Sequence, residues 1–169
     1  GRTVAMMASR YPKRIDQLIL VSPSGFHDDQ VFQTNDVSQN EIDAFINKAY
    51  PTIGHGQLSD FYQPQEFANW DTRYNGLLKY QGFARALIST RKNYPDMAKI
   101  HNTIHINKVD TSIIWGIHDT VLPLNTVREK LSQVLPDATL YEFSASGHLP
   151  HMEEQERFHR VFFEQILNK

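Results

Sequence analysis

Trp115-Gly116-Ile117-His118-Asp119-Thr120-Val121-Leu122-Pro123, led by Ser112-Ile113-Ile114, is the stretch on which the reading of the fold turns. The apolar and β-branched run predicts a strand from Val109 to Trp115 buried on both faces, with an acid just past its C-terminal end. The same arrangement recurs downstream. Thr139 to Phe143 (TLYEF) predicts a strand, and Ser146-Gly147-His148-Leu149-Pro150 puts a histidine in the loop that follows it. His148 comes 29 positions after Asp119 (148 − 119), room for one helix and one strand. Asn125 is expected to cap that helix, Val127, Leu131, Val134 and Leu135 to face inward, and Pro136 to stop it. One β–α–β step sets the two loops side by side at strand ends, where ligand sites collect in open α/β sheets. An acid that orients an imidazole and an imidazole that moves a proton must converge from separate loops, and neighbouring parallel strands allow this.

Working toward the N-terminus, Gln17 to Ser22 (QLILVS) is a third buried-type strand, closed by Pro23-Ser24-Gly25. Before it, Val4, Met7, Ala8 and Tyr11 form one stripe of a helix that Pro12 stops. Between Phe26 and Asn107 the pattern is helical and aromatic. Ser38 and Glu41 form a capping box ahead of Ile42, Phe45, Ile46 and Ala49. Pro51, Gly54, Gly56 and Pro64 are expected to break the chain, and a longer helix is expected from Thr72 to about Lys92, weakened by Gly76 and Gly82. At the other end, a helix from about Met152 to Leu167 carries Glu153, Glu154 and Glu156 at its positive N-terminal end and buries Phe158, Val161, Phe162 and Ile166. Strands alternating with helices predict an α/β fold: three parallel strands in the order 17–22, 109–115, 139–143, with flanking helices and the last strand at an edge. The core is expected over residues 1–25 and 108–169, and a helical insertion over 26–107.

These segments resemble the α/β-hydrolase superfamily, in its cap-bearing esterase, lipase and carbon–carbon-bond hydrolase branch. W-G-x-x-D-x-x-x-P is similar to the acid loop of that family and S-G-H-x-P to its histidine loop. The resemblance therefore implies that Asp119 is the acid and His148 the general base of a catalytic triad. The opening GRTVAMMASRYPKRIDQLILVSP resembles the helix and strand that follow the family's G-x-S-x-G nucleophile elbow. Aligned on Arg10-Tyr11-Pro12, Gly1 matches the glycine after that motif and the nucleophile lies three residues upstream of Gly1. The resemblance thus implies a C-terminal part of the fold that lacks its nucleophile, with residues 26–107 as the family's cap. It implies hydrolysis of an ester or similar acyl bond and no cofactor. An Asp nucleophile, as in epoxide hydrolases and dehalogenases, is the alternative, and a non-catalytic fragment or binding protein the third reading. In the absence of the family's preceding strand, the apolar strand at 17–22 is expected to pair with an N-terminal fragment or a second copy, and the chain alone to be inactive.

Other readings of single residues compete with these. Asp28 and Asp29 are an alternative position for the acid. His148 with His151, and His101 with His105, have spacings open to metal binding, but no acid cluster accompanies them, so no metal is expected. His118 reads as a solvated neighbour of Asp119 at the border of a pocket. Of the aromatic residues from Phe45 to Phe83 (Tyr50, Phe61, Tyr62, Phe67, Trp70, Tyr74 and Tyr80 between them), most are expected in a core and a few against substrate. Ser22 and Ser24 are fallback nucleophiles.

The chain has 169 residues, 40 % apolar and 21 % charged, with a net charge of −2. That balance fits a folded domain and gives no reason to expect nucleic acid or acidic lipid as a partner. No apolar run approaches the length of a membrane span. The chain has no cysteine, which excludes disulfides and thiolate chemistry and leads to an expected cytoplasmic setting. The start has neither an initiator Met nor the order of a signal peptide, and reads as cut within a helix.

Overall fold

The structure is a computed structural model that describes residues 1–26, 32–33 and 36–168. Along the chain run α1 (Arg2–Arg10), β1 (Gln17–Val21), β2 (Phe32–Gln33), α2 (Gln39–Gly56), α3 (Trp70–Leu77), α4 (Phe83–Lys92), β3 (Asn93–Tyr94), α5 (Met97–Ile106), β4 (Asp110–Gly116), α6 (Leu124–Val134), β5 (Thr139–Phe143), α7 (Pro150–Glu153) and α8 (Gln155–Arg160), with π-helical turns at Val161–Ile166. The chain divides into two compact units. One is Gly1–Asp29, Asp60–Tyr62 and Asp96–Lys169; the other is Gln30–Ser59 and Gln63–Pro95.

The first unit is built on a parallel sheet in the order β1–β4–β5, as the buried-strand pattern predicts. Leu20 pairs with Ile113, and Ile114 with Tyr141. β4 is central, and every residue from Thr111 to Gly116 is buried. Its alternate side chains feed two cores, because successive residues of a strand point to opposite faces. Ile113 and Trp115 join Leu18, Leu20, Ala5, Ala8, Val127 and Leu131 on one face. Ile114 joins Phe143, Val161 and Ile166 on the other. Full burial of one such side chain stabilises the fold by about 1.5–3 kcal/mol.

Several boundaries differ from the sequence expectation. The insertion is shorter than residues 26–107, since α5 packs into the first unit. Its Met97, His101 and Ile104 are buried, His101 stacks on Phe26 at 4.4 Å, and Met97 fills the space beside Gly25. In α1 the buried residues are Ala5 and Ala8. Val4, Met7 and Tyr11 of the predicted stripe are 44 %, 52 % and 48 % exposed. Two small side chains admit close approach to the core, and the larger ones face away. α6 begins at Leu124 with Pro123, not Asn125, at its cap. The C-terminal helix begins at Pro150 and breaks at Glu154 (φ −119°, ψ 54°).

The second unit is helical. Both halves of the Ser38–Glu41 capping box are formed, and Glu41 also takes an ion pair from Lys92 at 2.7 Å. α2 continues through Pro51 to Gly56 instead of breaking there. Gly54 faces Asn75, which would collide with a Cβ at that position. The helix expected over 72–92 is two, α3 and α4, parted by a turn that ends on Gly82 at φ 83°, a left-handed conformation that glycine adopts without strain. Val37, Ile42 and Ala84 form a small core with Phe45, Tyr50 and Ile88 against it. Among the described residues, no helix is long and apolar enough to cross a membrane.

Candidate active site

β4 and β5 stay joined after their strands end. Ile117 donates its amide to Phe143 O at 2.9 Å, and His118 donates to Ser146 O at 3.0 Å. Gly116 makes this possible, because a Cβ there would collide with the carbonyl oxygens of Ser146 and Gly147. The two loops therefore lie backbone against backbone.

Asp119 sits in the first loop with its side chain fully buried. Oδ1 accepts the amides of Val121 (2.9 Å) and Leu122 (2.8 Å). Oδ2 accepts the Trp115 indole N–H at 3.1 Å and faces His148 Nδ1 at 2.8 Å. Four donors around one carboxylate offset the cost of burying it. The same indole N–H also reaches Leu122 O at 3.0 Å. The W-G-x-x-D spacing thus closes a small ring of bonds around the acid.

His148 receives that carboxylate on Nδ1, so with Asp119 ionised Nδ1 carries the proton and Nε2 is left as the acceptor. The imidazole side chain is 23 % exposed. Burial lowers the pKa of His148, but the Asp119 hydrogen bond and the negative charges of Asp119, Asp60 and Glu153 outweigh it and raise the value above the usual 6.5. The surrounding acids thus stabilise the protonated ring that a general base forms when it takes a proton.

The structure brings Asp119 and His148 together. Asp28 and Asp29 lie outside the described residues. His101 is buried in the core, where desolvation, assisted by the Lys130 charge, lowers its pKa to about 4. His105 pairs with Asp137 at 2.9 Å. Among the described residues no cluster of three or more His, Cys, Asp or Glu could hold a metal ion. His118 stacks on Tyr62, rings parallel at 3.7 Å. Sequence reasoning missed Asp60, whose carbonyl accepts the His148 amide at 2.7 Å, because nothing local marks it. It also read Glu153 and Glu154 only as charges at a helix start. Their five- and six-residue offsets from a loop histidine were the available signal.

A 2-hydroxy-6-oxononadienedioate/2-hydroxy-6-oxononatrienedioate hydrolase of Paraburkholderia phymatum is 31 % identical over 187 aligned positions, covering 97 % of this chain and 58 % of the relative. The chain has the α/β-hydrolase fold. Two solved structures share this fold. The 2-hydroxy-6-oxo-6-phenylhexa-2,4-dienoate hydrolase of Rhodococcus sp. strain RHA1 superposes with a TM-score of 0.69 at 16 % identity, over 97 % of this chain and 59 % of that one. An esterase of Exiguobacterium antarcticum gives 0.62 at 19 %, over 96 % and 63 %. No protein-family model matches the chain. The chain spans about three fifths of the length of these relatives.

Proposed function

We propose that this chain supplies the acid and the base of a Ser-His-Asp triad that hydrolyses an ester or a similar acyl bond. The observation that carries the reading is the 2.8 Å contact of His148 Nδ1 with the buried Asp119 carboxylate. The serine comes from outside residues 1–169, from a preceding segment of the same polypeptide or from a partner chain. Its Oγ forms a bond to the substrate carbonyl carbon while His148 Nε2 takes the hydroxyl proton. The same proton then goes to the leaving oxygen as the acyl–oxygen bond breaks. In the second half, water gives a proton to His148 and attacks the acyl-serine, which frees the acid and restores the hydroxyl. Asp119 holds the tautomer and stabilises the imidazolium formed in each half.

One observation favours a second substrate class. The curated relative is a hydrolase of 2-hydroxy-6-oxo dienoates, and in such a molecule the acyl bond open to the same attack is the carbon–carbon bond beside the 6-oxo group. Turnover of a short-chain p-nitrophenyl ester against bleaching of a 2-hydroxy-6-oxo dienoate separates the two.

The test of the triad is His148→Ala in the whole protein. Turnover is expected to fall by roughly 10⁴-fold or more while the far-UV spectrum is kept. Unchanged turnover ends the reading. The 169 residues alone are expected to be inactive, since β1 has a single strand neighbour among the described residues and α1 turns Val4, Met7 and Tyr11 outward. A monodisperse monomer of this chain that hydrolyses the ester overturns that expectation and makes Ser22 or Ser24 the nucleophile. The lack of cysteine fits a cytoplasmic setting, which cell fractionation checks.

A further inference from the structure

Two consecutive glutamates follow the histidine loop and hold it in different ways. Glu154 accepts the Ala145 amide at 2.9 Å and the Ser146 hydroxyl at 2.7 Å, and pairs with Arg157 at 3.1 Å. All of its partners are local. Glu153 accepts the Gly147 amide at 2.7 Å through Oε2 and the Tyr62 amide at 2.6 Å through Oε1, and Tyr62 lies 91 residues earlier.

The tripeptide Asp60–Tyr62 belongs to the same unit as the histidine loop, although its neighbours Ser59 and Gln63 belong to the other. Besides the Glu153 bond, it accepts the His148 amide on Asp60 O at 2.7 Å, buries Phe61, and stacks Tyr62 on His118. Gly147 permits this strap to close, because a Cβ there would stand 2.6 Å from Asp60 O and 2.8 Å from Tyr62 N. One carboxylate therefore bridges the amide just before the histidine and the amide of the strap against it.

We propose that Glu153 is a positioning residue for His148: it locks the Asp60–Tyr62 strap to the histidine loop, so that the imidazole stays in line with Asp119 and the Asp60 carboxylate stays beside it. The proposal rests on His148 being the catalytic base. The groups facing His148 are Asp119 from the loop after β4, Asp60 from the strap, and Glu153 and His151 from α7. Burial raises the pKa of Asp60; His148 opposes this, and the charges of Asp119 and Glu153 add to it. Neutralising Glu153 removes one acid from the field at the imidazole and loosens the segment that carries another. Both changes weaken the hold on the imidazolium. A glutamate that only stabilised the fold would alter the melting temperature and leave the ring's proton affinity alone.

The experiment is an NMR titration of the His148 ring in the whole protein, assigned against His148→Ala, together with the pH profiles of kcat and KM. In Glu153→Gln the His148 midpoint is expected to move down and kcat to fall about tenfold or more through misalignment, with KM little changed. Glu153→Asp keeps the charge but not the reach, so the midpoint moves down by less than in Glu153→Gln while kcat falls. Glu154→Gln breaks bonds of the same kind on the same loop and leaves the midpoint in place. An unmoved midpoint in Glu153→Gln overturns the proposal, as does an equal shift in Glu154→Gln. If Glu153→Gln fails to fold, undiminished kcat in Glu153→Asp overturns it. Should His148→Ala remain active, the reading of the base fails, while the titration still judges the strap by itself.

Discussion

The acid loop and the histidine loop lie side by side, yet they are held by opposite means. Asp119 is fixed by donors from its own segment: the indole of Trp115 and the amides of Val121 and Leu122. The histidine loop is fixed by acceptors, two of them the glutamates at the end of α7 and one the carbonyl of Asp60 far earlier in the chain. The first loop is a self-contained ring of bonds that forms once β4 ends. The second is completed only when a distant strand of backbone is laid against it. The difference predicts that changes in the acid loop act on the charge and tautomer of the pair, whereas changes at the histidine loop act on its alignment.

The largest expected effect comes from Asp119→Asn in the whole protein. The amide oxygen can still accept from Val121 and Leu122, but the NH₂ then faces both the Trp115 N–H and His148 Nδ1. Nδ1 must accept, the proton moves to Nε2, and the ring can no longer receive one from a serine. A loss of roughly 10⁴-fold in kcat is expected, with KM little changed; a loss below tenfold would break the assignment of Asp119. Gly116→Ala comes next. It forces the two loops apart where their backbones meet, and a destabilisation of about 4 kcal/mol is expected in urea unfolding. A change under about 0.5 kcal/mol would mean that the contact between the loops is not required.

Trp115→Phe sharpens the comparison at smaller cost. It removes one of the four donors to Asp119 and the bond to Leu122 O while keeping an aromatic ring in the core. A loss of about 2 kcal/mol in stability is expected, together with a smaller drop in kcat than Asp119→Asn gives. The smallest effect is the pH profile. Activity needs neutral His148, whose pKa is raised, so kcat/KM should climb with pH and reach its midpoint above about 6.5. Because the folded value lies above the unfolded one, the group's contribution to stability is full below about pH 6.5 and is lost as pH rises through the folded pKa. A midpoint below 6.5 would show that burial, not the surrounding acids, governs the ring.

By itself, the sequence determined the sheet and the chemical pair. The apolar runs at 17–22 and 109–115 name two strands because a strand inside a parallel sheet is buried on both faces, and 139–143 names the third, at the edge. W-G-x-x-D and S-G-H name the loops because their defining contacts are local or follow directly from strand adjacency. The tertiary structure decided everything that depends on distant partners. Of the stripe that sequence periodicity favoured in α1, only Ala8 is buried; it fits close to the core with Ala5, and the larger Val4, Met7 and Tyr11 face away. α5 joined the core because Gly25 and Phe26 leave room for Met97 and His101. Asp60 and Tyr62 reach His148 and Glu153 across 88 and 91 positions (148 − 60 and 153 − 62). Backbone amides and carbonyls carry no residue signature, so a bond that one of them makes at that separation leaves no mark in the sequence until the chain has folded.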